Sequence, residues 1–316
     1  MDLDFHPGGM ALSATAQRAS DQCACPACGG ARATGVRAVP DHEHGVSYVA
    51  QYAQCATCAS EYQVPMPTPR QLSAWYPDTY HRIRSGGALQ QIRHDIRVRR
   101  LQRLLATTEG AILDYGCGDG SFLLRAAAKL PGRTFVGFDI ADHHETVSAA
   151  NGAVTLVKGQ LSDLLSVLPP CALITMNHVI EHLPSPLDTL RLLAERLLPG
   201  GVVEGQTPAA GSLEQAVFGA CWSGYHAPRH TVVFSAQGVR RILERAGFSR
   251  VTVEGTFNPA GLALSLASTV HGQSPGCINR RGGRWLALLA AATALSPIDL
   301  LSRRPAVVNF AAVRVP

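Results

Sequence analysis

Ile112-Leu113-Asp114-Tyr115-Gly116-Cys117-Gly118-Asp119-Gly120 is the stretch on which the reading of this chain turns. Ala111 to Tyr115 is an apolar run of strand length, and Ser121 to Leu130 has helical periodicity up to a Pro131-Gly132 stop. Between them lies a Gly-x-Gly-x-Gly turn, where glycine tolerates positive φ and lets a ligand approach the main chain. The next strand, Thr134 to Asp139, ends on an acid. A carboxylate there can accept hydrogen bonds from both hydroxyls of a ribose.

Downstream, strand-like and helix-like segments keep alternating. Ala141 to Ala150 reads as a helix ended by Asn151-Gly152, Val154 to Val157 as a third strand and Ala172 to Met176 as a fourth. Leu187 to Leu198 reads as a helix stopped by Pro199-Gly200-Gly201, and Val202 to Gln206 as a fifth strand. Ser235 is an N-cap for a helix to Ala246, and Arg250 to Glu254 and Val307 to Val313 are the last strands. Repeated βα units predict an α/β fold: a Rossmann-like doubly wound sheet with ligands at the carboxyl ends of its strands.

Dinucleotides and S-adenosylmethionine (SAM) both use such a turn. Two details favour SAM: the glycines follow Gly-x-Gly-x-Gly spacing, and Asp114 stands just before them. A carboxylate there repels a pyrophosphate and suits the ammonium of an amino acid. Leu113 to Gly120 resembles the first motif of class I SAM-dependent methyltransferases, and Val136-Gly137-Phe138-Asp139 their acidic second-strand motif. Asn177-His178-Val179-Ile180-Glu181-His182-Leu183-Pro184 resembles their segment after the fourth strand, and Leu198-Pro199-Gly200-Gly201 their turn before the fifth. The resemblance implies SAM as cofactor. Gly116, Gly118 and Gly120, with Asp114 and Cys117 in the same loop, would surround methionine and ribose, and Asp139 would hold the ribose hydroxyls. Ile140 would border the adenine, Gln160 and Leu161 would fall where the family contacts its edge, and Asn177 would complete the cofactor set.

Cys25-Pro26-Ala27-Cys28 and Cys55-Ala56-Thr57-Cys58 are two short turns with two thiols each. Cys25, Cys28, Cys55 and Cys58 would fill a tetrahedral zinc site with no position left for water, hence a structural one. Ala59 stands where a glycine is common, Cys23 could compete with Cys25, and His42 or His44 could replace a ligand. With Pro65 to Pro69, Trp75-Tyr76-Pro77 and Tyr80-His81, the region resembles bacterial methyltransferases that carry an N-terminal zinc ribbon, often of polysaccharide or secondary-metabolite pathways. The implied organisation is a disordered leader over 1–21, a zinc-binding module over 22–69, a helical connector over 70–109 and a methyltransferase domain over 110–316.

Methyl transfer is an in-line displacement that often needs a base. His178, Glu181 and His182 follow the fourth strand, and on a helix their spacing would put all three on one face. They are either catalytic or structural supports of the loop. Related O-methyltransferases bind a divalent cation with acids here, and His178 in place of an acid argues against a metal. Trp222 to His230 is the second candidate: His230 as base, substrate anchor or backbone cap, with Trp222 and Tyr225 walling an apolar pocket.

Composition sets the outer bounds. Apolar residues make up 46% and charged residues 16% of the 316, enough to bury a core and too apolar for a disordered chain. Nine cysteines, an odd number in short pairs, suit metal binding in a reducing compartment, and no basic segment followed by an apolar run opens the chain. The expectation is a cytoplasmic protein. Arg82, Arg84, Arg93, Arg97, Arg99, Arg100 and Arg103 cluster ahead of the glycine loop, but no aromatics interleave with the arginines, so they read as a solvated helix face. Trp285 to Leu295 is apolar but short of a bilayer, with Arg280, Arg281 and Arg284 before it and Arg303 and Arg304 after. A helix packed on the core or on a second subunit of a homodimer is preferred there over a peripheral membrane contact. The leading function is methylation of a small-molecule acceptor, a sugar or metabolite hydroxyl, amine or carbon. The alternatives are methylation of RNA held by the zinc ribbon and the connector arginines, and a SAM-fold module without turnover.

Overall fold

The structure, a computed structural model, describes residues 24–76, 88–105, 109–141, 144–271 and 282–315. The expected leader, Cys23, Tyr80, His81, Arg82, Arg84, Cys277, Arg280 and Arg281 lie outside the described residues.

Two sheets carry the fold. The first opens the chain with β1 (Ala33–Val39), β2 (Ala50–Cys55) and β3 (Glu61–Gln63), followed by a one-and-a-half-turn helix α1 (Pro69–Ala74) that Thr68 caps through the Gln71 N–H. Helix α2 (Ala88–Leu105) then leads to β4 (Ala111–Tyr115), which is buried at all five positions. The chain continues through α3 (Ser121–Lys129), β5 (Phe135–Ile140), β6 (Glu145–Ala149) and β7 (Val154–Gly159). Next come α4 (Leu161–Val167), β8 (Cys171–Asn177), α5 (Pro186–Ala194) and β9 (Leu197–Pro208). It finishes with α6 (Leu213–Phe218), β10 (Val232–Val233), α7 (Ala236–Arg245), β11 (Phe248–Gly255), α8 (Pro259–His271), α9 (Gly283–Leu301) and β12 (Val307–Arg314).

The large sheet runs β11-β12-β9-β8-β4-β5-β7-β6. From β4 the chain moves outward through β5 and β7, then crosses back to β8 and β9 on the other side. That reversal leaves a crevice at the carboxyl end of β4, where open α/β sheets bind ligands. One face is covered by Val98, Leu101 and Leu105 of α2 with Phe122, Leu123 and Ala126 of α3, and the other by Leu190 and Leu193 of α5 with Val239, Ile242 and Leu243 of α7. Each of these Val, Leu, Ile and Phe side chains stabilises the fold by about 1.5–3 kcal/mol when fully buried. The result is the Rossmann-like sheet that the alternating pattern predicts.

One expected helix is a strand. Ala141 to Ala150 reads as helical, yet Glu145–Ala149 forms β6, an antiparallel edge paired with β7 from Glu145↔Lys158 to Ala149↔Val154. Its residues are mostly exposed, so no apolar stripe exists to dock a helix, and Thr146 and Val147 suit the pleat. At one end of this ladder Lys158 Nζ lies 3.4 Å from Glu145, an exposed ion pair across the two strands.

The small sheet, β1-β2-β3-β10, is not built from the N-terminal segment alone. Val232 and Val233 pair with Tyr62 and Glu61, so the stretch before α7 supplies an outer strand to the cysteine-bearing region. Tyr52 reinforces the junction by donating its hydroxyl to His230 O at 2.6 Å.

The C-terminal helices form a hairpin on the rim. Trp285, Leu288, Leu289 and Ala292 of α9 pack against Leu262, Ala263 and Leu266 of α8. The helix extends beyond the apolar run read from sequence: at 19 residues with mean hydropathy 1.4 it is long and apolar enough to cross a membrane, and 17% of it is buried. One face of α9 thus packs on α8, and the other is left exposed.

Candidate active site and cysteine cluster

The glycine loop turns at the carboxyl end of β4 with φ of 82° at Gly116, 59° at Gly118 and 72° at Gly120. A side chain at Gly116 would put its Cβ 2.4 Å from Val179 Cγ2, so the loop lies directly against the segment after β8. Gly116 and Cys117 donate their N–H groups to Phe138 O at 2.7 and 2.9 Å, which locks the loop to β5. Asp139 crowns that strand: Oδ2 accepts the Gly118 N–H at 2.6 Å and Oδ1 its neighbour's, Ile140 N–H, at 2.9 Å. Both carboxylate oxygens keep further lone pairs for a diol.

The other expected cofactor residues spread around this point. Ile140 is 72% exposed, an apolar surface beside the acid. Gln160 begins α4, receiving the Asp163 carboxylate on its N–H at 2.7 Å and donating Nε2 to Ala141 O at 3.2 Å, with Leu161 half-buried next to it. Asn177 donates Nδ2 to Thr175 Oγ1 and to Glu204 Oε1. Cys117 contributes main chain only, because its Sγ is buried against Gly137.

Asp114 is buried beneath the loop and paired with Arg97 Nη2 at 3.2 Å. Burial pushes its carboxyl up to about 6, against the pull of Arg97. The Arg97 guanidinium also lies 3.6 Å from the centre of the Phe122 ring, and its buried Nε has no partner among the described residues. Sequence reading put Arg97 and Arg100 on a solvated helix face. The fold instead turns both onto the sheet, Arg100 Nε meeting the buried Glu204 at 2.9 Å. A charge opposite another charge across a helix–sheet contact leaves no local pattern, so neither arginine's partner is legible in the sequence.

At the end of β8, His178 follows with φ 54° and a short 3-10 turn spans Ile180–His182. The three polar side chains therefore do not share a regular helix face. His178 Nδ1 donates to Glu181 Oε1 at 3.2 Å, and its Nε2 meets Gln206 Oε1 at 3.0 Å. Glu181 is fully buried, and its Oε2 has no partner among the described residues. His182 turns away, its Nδ1 2.8 Å from Tyr76 Oη and 3.2 Å from Arg229 O. His230 donates Nδ1–H to Gly224 O at 2.9 Å, so its neutral ring leaves an unprotonated Nε2, 4.0 Å from Glu181 Oε1. The His182, His226 and His230 rings crowd together, His182 and His230 at 4.5 Å between centres.

Burial sets the protonation of this group. It drives His182 down to about 4 and His230 well below 6.5, with the neighbouring histidines adding to the effect. Burial alone would raise the Glu181 carboxyl, but His178 and His182 outweigh it and hold it below its usual value. Donor atoms of Glu181, His182 and His230 lie within 4.8 Å of one another, so the group can also accept a cation.

Trp222 and Tyr225 line a cavity of about 10 Å³ shared with Asp41, His42 and His226, a space for one water and not for an acceptor. Both are buried, and Tyr225 donates its hydroxyl to the buried Glu61, which also binds Gln215. Arg229, unnoticed in the sequence, is the largest fully buried side chain among the described residues and binds Asp41. A cavity of about 560 Å³ lined by Glu109, Thr134 and Pro170 lies at the amino ends of the strands, away from all these groups.

The four paired cysteines converge at the other end of the small sheet. Their Sγ atoms all lie within 4.8 Å, Cys25–Cys58 at 3.8 Å and Cys28–Cys55 at 3.5 Å. Tetrahedral zinc with bonds of about 2.3 Å needs sulfurs about 3.8 Å apart. The N–H groups of Gly30 and Thr57 point at Cys28 Sγ and Cys55 Sγ, both at 3.4 Å, which suits thiolates. Cys58 is held at about 5 by its hydrogen bond to Cys25, whose own thiol is pushed far up. His44 is not a fifth candidate here, since it groups with Glu43 and His226.

Sheet order, glycine loop and crowning acid together define a class I SAM-dependent methyltransferase. Residues 89–253, more than half of the chain, match the profile of a family described as methyltransferase domain, and the chain belongs to that family. It is 27% identical over 207 residues to a trans-aconitate 2-methyltransferase of Sinorhizobium fredii, covering 60% of this chain and 79% of that one. A trans-aconitate 2-methyltransferase of Deinococcus radiodurans is 29% identical over 138 residues, 43% of this chain and half (50%) of the relative's length. Among solved structures, phosphoethanolamine N-methyltransferase 2 of Haemonchus contortus, in complex with SAM, shares the fold at TM-score 0.50 and 16% identity, over 81% of this chain and 62% of that one.

Proposed function

We propose that this methyltransferase acts on an oxygen of a small-molecule acceptor in the cytoplasm, with the histidine cluster around Glu181 on the acceptor side. The observation that carries this reading is the contact of Gly116 with Val179, which puts the cofactor loop and the acceptor segment at one point of the sheet edge. The residues suit SAM: Asp139 offers lone pairs to a ribose diol, Ile140 an apolar bed for adenine, and the unpartnered Nε of Arg97 a donor for the methionine carboxylate. SAM supplies an electrophilic methyl carbon.

His230 then acts as the base. Its lone pair at Nε2 takes the acceptor's hydroxyl proton as that oxygen bonds to the methyl group and the carbon–sulfur bond breaks. Glu181 stabilises the imidazolium so formed. The His178 hydrogen bond holds Glu181 ionised, and Tyr76 and the Arg229 carbonyl orient His182. The names of the two curated relatives support a carboxylate-bearing small molecule as the first acceptor to try. An RNA acceptor is disfavoured, because Arg97 and Arg100 are paired with Asp114 and Glu204.

Cys25, Cys28, Cys55 and Cys58 would hold one structural zinc. Calorimetric titration with SAM tests the cofactor reading, and the absence of saturable heat would overturn it. Release of S-adenosylhomocysteine with trans-aconitate tests a carboxylate acceptor, whose ionised oxygen needs no base; His230→Gln should still bind SAM, keep any such activity and lose transfer to a hydroxyl acceptor. Metal analysis should return about one zinc per chain, as four thiolates require, and a folded metal-free protein would remove the zinc site.

A further inference from the structure

From α9 and its flanks we infer that this protein docks on an anionic lipid surface, with the outer face of α9 lying in the membrane interface. The side turned from α8 carries Leu286, Leu295, Ile298 and Leu301, exposed at 65%, 47%, 52% and 81%. Between them stand Ala287, Ala290, Ala291 and Ala294, all exposed. Thr293, the hydroxyl on that side, donates to Leu289 O at 2.7 Å, and Ser296 bonds back to Ala292 O in the same way. The face therefore offers no side-chain donor that requires water, as a helix in contact with hydrocarbon needs.

Charge names the occupant. From Thr256 to Arg304 the sequence has Arg280, Arg281, Arg284, Arg303 and Arg304 against one acid, Asp299. That acid is buried and accepts the Ala306 N–H. Arg284 and Arg303 are exposed at opposite ends of α9. Two copies packed antiparallel on this face would bring those arginines together, whereas phosphate headgroups neutralise both ends at once.

Topology fixes the manner of contact. The chain leaves the sheet from β11 and returns in β12, its antiparallel neighbour, which also pairs with β9. A single pass of α9 would strand β12 across the bilayer from its partners. The 13 residues of α8 reach only about 20 Å, less than a hydrocarbon core, so the pair cannot cross and return. The hairpin therefore lies along the interface as a monotopic element. Helix α8 stands between it and the Ser223–Tyr225 turn, joined through Ser223 Oγ to Gly261 O at 2.8 Å.

The test is co-flotation of the full chain with vesicles of phosphatidylcholine alone or with phosphatidylglycerol. Wild type should float with the anionic vesicles and be released by high salt. Leu295→Glu/Ile298→Glu should lower the bound fraction about tenfold or more, and Arg284→Gln or Arg303→Gln about fivefold each. Unchanged SAM affinity in every variant shows that the fold stands. Absence of flotation, or equal flotation of the double-glutamate variant, would overturn the proposal. So would a wild-type dimer that this variant abolishes without any vesicle binding, which would assign the face to a second copy.

Discussion

Arg229 grips both carboxylate oxygens of Asp41 at 3.0–3.1 Å, and neither side chain reaches solvent. Asp41 also accepts the N–H groups of Glu43 and His44, both at 2.9 Å, while Arg229 donates to His226 and to Trp75 O. One buried ion pair therefore clamps the loop after β1 onto the loop that carries His226 and His230.

Breaking that pair from one side should be costly, because it leaves a buried charge without a partner. Asp41→Ala is expected to lose about 3–5 kcal/mol of unfolding free energy in urea titrations. The double change Asp41→Leu/Arg229→Met should lose much less, since both charges go together. Equal losses would mean that the clamp stabilises by packing and not by charge.

Asp139→Ala removes the acceptor for Gly118 N–H and the proposed grip on ribose. Charge-assisted hydrogen bonds contribute about 1.5–3 kcal/mol each, so SAM affinity should fall about a hundredfold in calorimetry. A loss below threefold would place the ribose elsewhere.

The histidine cluster makes a pH prediction. His182 titrates at about 4 in the fold and at 6.5 when unfolded. Between these values the unfolded chain binds the extra proton. This contribution to stability is complete above pH 6.5 and is lost as pH falls toward 4, by about 3 kcal/mol. His182→Gln should flatten that limb of the melting profile. Because His230 is lowered as well, activity should persist well below pH 6.5 until the fold gives way.

Ala59 occupies the left-handed region with φ 58°, its N–H bound to Cys55 O at 2.9 Å. Gly29 has the same role in the first cysteine turn, with φ 78° and its N–H on Cys25 O. Left-handed alanine costs about 1–2 kcal/mol, partly offset by the flexibility glycine adds to the unfolded chain. Ala59→Gly should therefore raise thermal stability by about 0.5–1 kcal/mol without changing zinc content.

The features legible beforehand are local ones. The Ala111 to Gly120 strand and turn, Asp139 at the end of the next strand and the helix capped by Ser235 all follow from neighbours a few residues apart. β6 escaped because an exposed edge strand has no burial pattern to announce it, and its conformation is set by hydrogen bonds to β7. The full extent of α9 escaped because Pro297 and Asp299 interrupt its apolar run, although the helix continues through both.

What the order of residues settles alone is the run of strands at the parallel centre of the sheet, the glycine turn with its crowning acid, and the two thiol pairs, since backbone preference and apolar periodicity act over one turn or one strand. Only the tertiary structure decided that Arg97 faces Asp114, that Arg229 crosses 188 positions to reach Asp41, that β10 completes the cysteine-bearing sheet, and that α9 keeps an apolar face outward. Those outcomes depend on which surfaces meet, and a charge or an apolar side chain reads the same in sequence whether the fold covers it or leaves it bare.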